Sequence, residues 1–150
     1  TCVDKHKNVS ISDIELEILE SGPLMDFDTS MTVFDNLRKV EGVFSLDDFG
    51  AGHSSLQTLH TFKPDYIKID KSFVMGMLED SDKYLITKAI IMLGNNFKLD
   101  VIAEGVELEE HWNELKMLGC KYGQGFGIGK PMPASKVMEW VEKWNREKTI

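Results

Sequence analysis

Two adjacent acids, Asp47 and Asp48, close a short apolar run and are followed at once by Phe49-Gly50-Ala51-Gly52-His53-Ser54-Ser55-Leu56. Neighbouring carboxylates repel, so a fold that gathers both at the end of a buried strand calls for a cation. A metal site is one reading. The other is a strand-to-helix loop in which Asp48 or a serine caps the next helix. Gly50 and Gly52 suit either, because glycine lets the backbone turn sharply and approach a ligand. Glu17, Lys68, Glu104 and Gln124 fall at comparable places in the strand pattern traced below. Acids grouped with a lysine and an amide pack poorly but bind hard divalent cations well, Mg²⁺ or Mn²⁺ better than zinc.

The elements that must position these residues alternate between two periods. Ile14 to Leu19 alternates apolar and acidic side chains and reads as a half-buried strand ending near Glu20. Ser21-Gly22-Pro23 breaks it, and Phe27 to Val40 has apolar residues at helical spacing. Val43 to Leu46 is a second strand leading into the paired acids. Ser54 to Phe62 is a short helix with Leu56 and Leu59 inward, stopped by Lys63-Pro64. Asp65 to Asp70 is a third strand. Leu85, Ile86, Ala89, Ile90 and Leu93 mark a helix over 82–97, capped by Ser81 or Asp82. Leu99 to Ala103 is a fourth strand, Glu109 to Leu118 a helix closed by Gly119, Lys121 to Gln124 a fifth strand and Ala134 to Arg146 a last helix. Such alternation predicts an α/β fold with a parallel sheet, either open or a (βα) barrel. In that fold Glu17, Asp47, Asp48, Lys68, Glu104 and Gln124 converge, because the carboxyl ends of parallel strands share one edge.

The 150 residues, 42% hydrophobic, are enough for one core, and the formal charge of -8 argues against a nucleic acid polymer as partner. Cys2 and Cys120 are too few and too far apart for a disulfide framework, which favours a reducing, cytoplasmic setting. No stretch approaches the ~20 apolar residues of a membrane span.

The runs Glu17-Ile18-Leu19-Glu20-Ser21, Asp47 to Leu56, Lys68-Ile69-Asp70, Glu104-Gly105-Val106-Glu107 and Gln124-Gly125-Phe126, in this order, closely resemble the EAL-domain family of cyclic-di-GMP phosphodiesterases. The resemblance runs from Leu16 to Trp140. It implies a TIM-like (βα) barrel of the EAL type that hydrolyses cyclic di-GMP to linear pGpG with two divalent metals, Mg²⁺ or Mn²⁺. By position, Glu17 resembles a metal-ligating glutamate, Asp47 the aspartate bridging both metals and Asp48 a ligand of the second. Lys68 resembles the lysine that holds the attacking water or the phosphate. Glu104 matches a glutamate that is either a metal ligand or the general base. Glu107 matches an acid steadying the loop after the paired aspartates, and Gln124 a residue near the metal-bound water.

The family's Glu-Ala-Leu motif, the arginine after it and the asparagine of the next strand do not occur in this sequence. A full barrel has eight strands in ~250 residues, against about five βα units here. The expectation is therefore that residues 1–150 are the C-terminal part of one EAL domain, that the isolated chain has little activity, and that it self-associates or joins regulatory domains. Leu19 and His53 replace the family's usual threonine and tyrosine. The alternative is a catalytically inactive EAL-like module that binds cyclic di-GMP or a protein. Plainer readings also stand: Glu17 as a surface residue like Glu15, Lys68 in a structural ion pair with Asp47 or Asp70, Glu104 and Glu107 as helix-starting acids, Gln124 as a loop residue, and Trp140 and Trp144 as an apolar stripe.

Overall fold

The structure, a computed structural model, describes residues 10–19, 32, 35–36, 38–39, 41–52 and 56–147. Among them five strands form one parallel sheet in sequential order: β1 (Glu15–Leu19), β2 (Val43–Phe49), β3 (Tyr66–Ile69), β4 (Asp100–Glu104) and β5 (Tyr122–Gln124). The helices are α1 (Leu56–Phe62), α2 (Lys71–Gly76), α3 (Ser81–Phe97), α4 (Glu109–Met117) and α5 (Ala134–Glu147), with a short 3₁₀ turn at Ile11–Asp13. This βα alternation is part of a TIM-like barrel, and β1 and β5 are the outer strands of the sheet among the described residues. The helix expected over 27–40 lies largely outside the described residues, as do His53 to Ser55.

Parallel sheets covered on both faces carry continuous apolar strands, whereas these strands alternate. One face presents Leu46, Ile67, Ile69, Val101 and Ala103, which pack with Leu59, Val74, Met77, Ile90, Ile91 and Leu115 of the helices into a single core. Strand alternation puts Glu17, Ser45, Asp47, Lys68, Glu104 and Gln124 on the opposite face. The core therefore holds the sheet from one side and leaves the other for polar chemistry.

Local signals end the elements within a residue or so of expectation. Asp80, one residue before the two expected caps, accepts hydrogen bonds from the N–H groups of Asp82 (2.9 Å) and Lys83 (3.3 Å) and so starts α3. Gly119, at φ +89°, closes α4 as the C-cap pattern requires, with its N–H donating to Lys116 and that of Cys120 to Leu115. At α4's other end the N–H of Leu108 donates to buried His111 Nδ1 at 3.3 Å, so this histidine is a structural cap.

One expectation is corrected, and two features are added to it. Leu56 is exposed, and α1 anchors through Leu59 and Phe62 instead. In α3 the core-facing stripe is Thr87, Ile90, Ile91 and Gly94, while Leu85, Ile86 and Ala89 face outward. Gly94 explains that rotation: a side chain there would meet Val101 of β4, so the bare backbone lets α3 lie close on the sheet. Lastly, α2 was not anticipated, because six residues starting at Lys71 and ending in Gly76 are too short to show a period. No residue of α5 is fully buried, and Trp140 and Trp144 stack on each other at 5.4 Å. No helix among the described residues is long and apolar enough to cross a membrane.

The tight α3–β4 contact yields a test. Alanine is the better helix former by about 1 kcal/mol, yet a Cβ at Gly94 would sit 2.3 Å from Val101 Cγ2. Overpacking against a short branched side chain costs about 1–3 kcal/mol. Urea unfolding should show Gly94→Ala to be less stable than the parent.

Candidate functional site

Lys68 is the centre of the polar face. It is 4% exposed, and its ammonium lies 2.5 Å from Glu17 Oε1, 2.7 Å from Glu104 Oε1 and 3.2 Å from Asp47 Oδ1. Strand β3 thus ties β1, β2 and β4 together through one charge. Burial works against charging the amine, but the hydrogen bonds to Glu104 and Glu17 and the contact with Asp47 outweigh it and raise its pKa above the ordinary lysine value. A raised lysine pKa stabilises the fold fully at any pH below the ordinary value, and that stability is lost only as pH rises through the folded-state pKa. The ion-pair reading of Lys68 is correct for Asp47. It is not correct for Asp70, which accepts from Ser72 instead.

Consecutive strand residues normally point to opposite faces, so Asp47 and Asp48 should not share a site. A shift in the β2–β3 register between Leu46 and Phe49 removes that restriction, and Asp48 adopts a left-handed backbone with φ +53°. Aspartate is one of the few residues besides glycine that tolerates this region. The bulge brings carboxylate oxygens of Asp47, Asp48 and Glu104 within 4.8 Å of one another. Buried Asp47 Oδ1 makes no hydrogen bond of acceptable angle even with Lys68 nearby. An under-coordinated carboxylate oxygen in a three-acid cluster is the donor set of a hard divalent cation. These residues form a candidate divalent-metal site.

Burial raises the Asp48 pKa, and the charges of Asp47 and Asp70 push it further the same way. When protonated, Asp48 donates to Asp70. Burial would raise Asp70 too, but hydrogen bonds from Ser72 Oγ and the Ser72 N–H overcome it and hold Asp70 below its usual value. Asp70 also caps α2. Asp70 thereby joins the site although it is not among the expected site residues. The available signal was its spacing, two residues after Lys68 and hence on the same strand face.

Glu104 and Gln124 are register partners at the ends of β4 and β5. The loops beyond them lie backbone against backbone: Val106 N–H donates to Gln124 at 3.1 Å and Gly127 N–H to Val106 at 2.9 Å. A side chain at Gly125 would come within 2.4 Å of the Val106 backbone, so glycine is required for this contact. Glu104, Glu107 and Gln124 line an open cavity of about 420 Å³ with Lys71, Met75 and Phe126. Glu17 is half exposed yet bound to Lys68, unlike Glu15 at the far end of β1. Glu107 and Gln124 sit at the cavity. The loop that Glu107 is expected to steady includes His53 to Ser55, outside the described residues.

Two substitutions separate the electrostatic contributions. Lys68→Met leaves three acids facing one another. It should cost about 2–4 kcal/mol at neutral pH, below the range for fully buried pairs because Glu17 is half exposed. The deficit should shrink in urea titrations at acid pH, where the carboxyls are protonated. A raised carboxyl pKa withdraws stability as pH rises from the unfolded value through the folded one. Asp48→Asn removes that penalty and suits the left-handed backbone, so its melting temperature at neutral pH should rise while Mn²⁺ binding weakens.

Comparison with known proteins is consistent with this site. The EAL domain profile matches residues 2–131. The bifunctional diguanylate cyclase/cyclic di-GMP phosphodiesterase MucR of Pseudomonas aeruginosa is 39% identical over 130 residues, covering 87% of this chain and 19% of MucR. The first curated relatives are all much longer, and the chain spans about a fifth of their length or less. The solved PaMucR phosphodiesterase in complex with c-di-GMP superimposes with a TM-score of 0.80 at 39% identity, over 86% of this chain and 52% of that one. The BlrP1 manganese/cy-diGMP complex of Klebsiella pneumoniae gives 0.76 at 32% identity, over 82% of this chain and 31% of BlrP1.

Proposed function

The chain belongs to the EAL domain family, and from that premise we propose that it carries a catalytic part of a cyclic-di-GMP phosphodiesterase. In the complete domain, water would add to one phosphorus and one P–O ester bond would break, leaving linear pGpG with a phosphomonoester and a new hydroxyl. The observation that carries this reading is the convergence of Asp47, Asp48 and Glu104 oxygens within 4.8 Å, beside Lys68. The cyclic-di-GMP complex of PaMucR and the manganese complex of BlrP1 supply the ligand and metal classes.

Glu17, Asp47, Asp48 and Glu104 would hold two Mg²⁺ or Mn²⁺ ions. Bound, such a pair supplies Lewis-acid stabilisation of the phosphoryl oxygens and hydroxide near neutral pH. The Lys68 ammonium, kept charged by its acids, donates a hydrogen bond to the attacking water or to a phosphate oxygen. Glu104 either completes the cation set or takes the water's proton. Gln124 and Glu107, at the cavity rim, orient the ligand and the loop after Asp48. The open sheet and the 52% coverage of PaMucR support a parent domain whose barrel is closed by strands other than these five. The length of the curated relatives supports further regulatory domains in the parent.

In the parent protein, Asp47→Asn should lower turnover of cyclic di-GMP by about 10²–10³-fold with circular dichroism unchanged. Product formation at the parent rate would contradict the assignment of Asp47. A parent protein that binds cyclic di-GMP but never releases pGpG would support the binding-module reading instead.

A further inference from the structure

Asp48 opens a four-residue turn. The N–H of Ala51 donates to the Asp48 carbonyl at 3.1 Å, and Gly50, third in that turn, has φ +99°. The turn rests on two helices: a Cβ at Gly50 would sit 3.1 Å from Phe73 Cε2 and 3.1 Å from Ile90 Cδ1. Ile90 is part of the core stripe of α3, and Phe73, on α2, is half-buried and packs against the core from its edge. The first turn of α2 also reaches this segment through its backbone. Phe73 N–H donates to the Asp70 carbonyl at 3.1 Å, and Asp70 N–H to the Phe49 carbonyl at 3.5 Å. So α2 holds the chain after the paired acids at two successive residues, Phe49 by a hydrogen bond and Gly50 by the edge of a ring.

We propose that Phe73 is a positioning residue of the cation site, its ring acting through Gly50 to keep the Asp48 carboxylate turned toward Asp47 and Glu104. The proposal rests on the cation-site reading of these three acids. Two forces drive Asp48 away from that position: its left-handed backbone is disfavoured for a residue with a Cβ, and its carboxylate is crowded by those of Asp47 and Asp70. Because the Ala51 hydrogen bond closes the turn on the Asp48 carbonyl, Asp48 leaves the left-handed region only if Gly50 moves as well. The ring of Phe73 and the end of Ile90 fill the space on the helix side of Gly50, where such a shift would need room. Phe73 works from the core side of the sheet while the carboxylates lie on the polar side, so its influence passes through the backbone of the turn. Residues that orient metal ligands from behind in this way change metal affinity by about 10–100-fold.

Titration of this chain with Mn²⁺, the free ion being counted by its electron paramagnetic resonance signal, reads the effect without turnover. Phe73→Ala should weaken Mn²⁺ binding by about tenfold or more. Phe73→Leu, which keeps apolar volume but not the ring edge, should weaken it by less and carries the test should Phe73→Ala fail to fold by circular dichroism. Val74→Ala, the next residue of α2 but fully buried in the core, should lower the melting temperature and leave Mn²⁺ affinity unchanged. In an Asp48→Asn background Phe73→Ala should have no further effect on Mn²⁺ binding, because the carboxylate it positions is gone. Parental affinity in a folded Phe73 variant would overturn the proposal. So would an equal loss of affinity in Val74→Ala, or an undiminished effect of Phe73→Ala in the Asp48→Asn background, since either would make Phe73 a plain packing residue. Failure of the parent chain itself to bind Mn²⁺ would instead sink the cation-site reading, and the positioning role with it.

Discussion

The contact between the Lys68 ammonium and the carboxylates of Glu17, Asp47 and Glu104 is the constraint on which the rest depends. Three acids on three strands cannot share one side of a sheet without a cation, and a buried lysine cannot stay charged without acids. Each half makes the other tolerable. Breaking such a cluster costs far more than forming it contributes, because the remaining charges are left uncompensated. The one-sided core follows from this division: Leu46, Ile67, Ile69, Val101 and Ala103 bind the helices, which frees the opposite face for charge.

The bulge between Leu46 and Phe49 is the second requirement. A regular strand would send Asp48 into the apolar layer, where an ionised carboxylate is least tolerated. The left-handed residue instead returns it to the polar face, at the cost of backbone strain and a raised pKa. Strained backbone and mutually destabilising acids are the reverse of what stability alone would select, and they are characteristic of sites that bind cations. Asp70 joins this device to the fold, as it caps α2 while facing Asp48.

Much of this was legible in the sequence because strand order and strand ends fix where a parallel sheet gathers its polar residues. Glu17, Asp47, Lys68, Glu104 and Gln124 could each be placed from their positions at strand ends. What alternation could not show was the bulge, since two adjacent acids look identical in a regular or an irregular strand. It also could not separate Glu17 from Glu15, which share a parity and differ only in which reaches Lys68. Which face of α3 meets the core could not be read from its spacing. Leu85, Ile86 and Ala89 form as good an apolar stripe as Ile90 and Ile91, and the choice between them depends on the close approach of Gly94 to Val101. A helix with two apolar faces offers one for the core and one for something else.

Asp47, Asp48 and Glu104 are the candidate cation site around which the polar face is built. The most direct measurement is anomalous diffraction from crystals of the chain grown with Mn²⁺. Manganese density within coordination distance of Asp47, shared with Asp48 or Glu104, is the predicted result. An occupied manganese position elsewhere with these three carboxylates unliganded, or no anomalous density at saturating Mn²⁺, would contradict it.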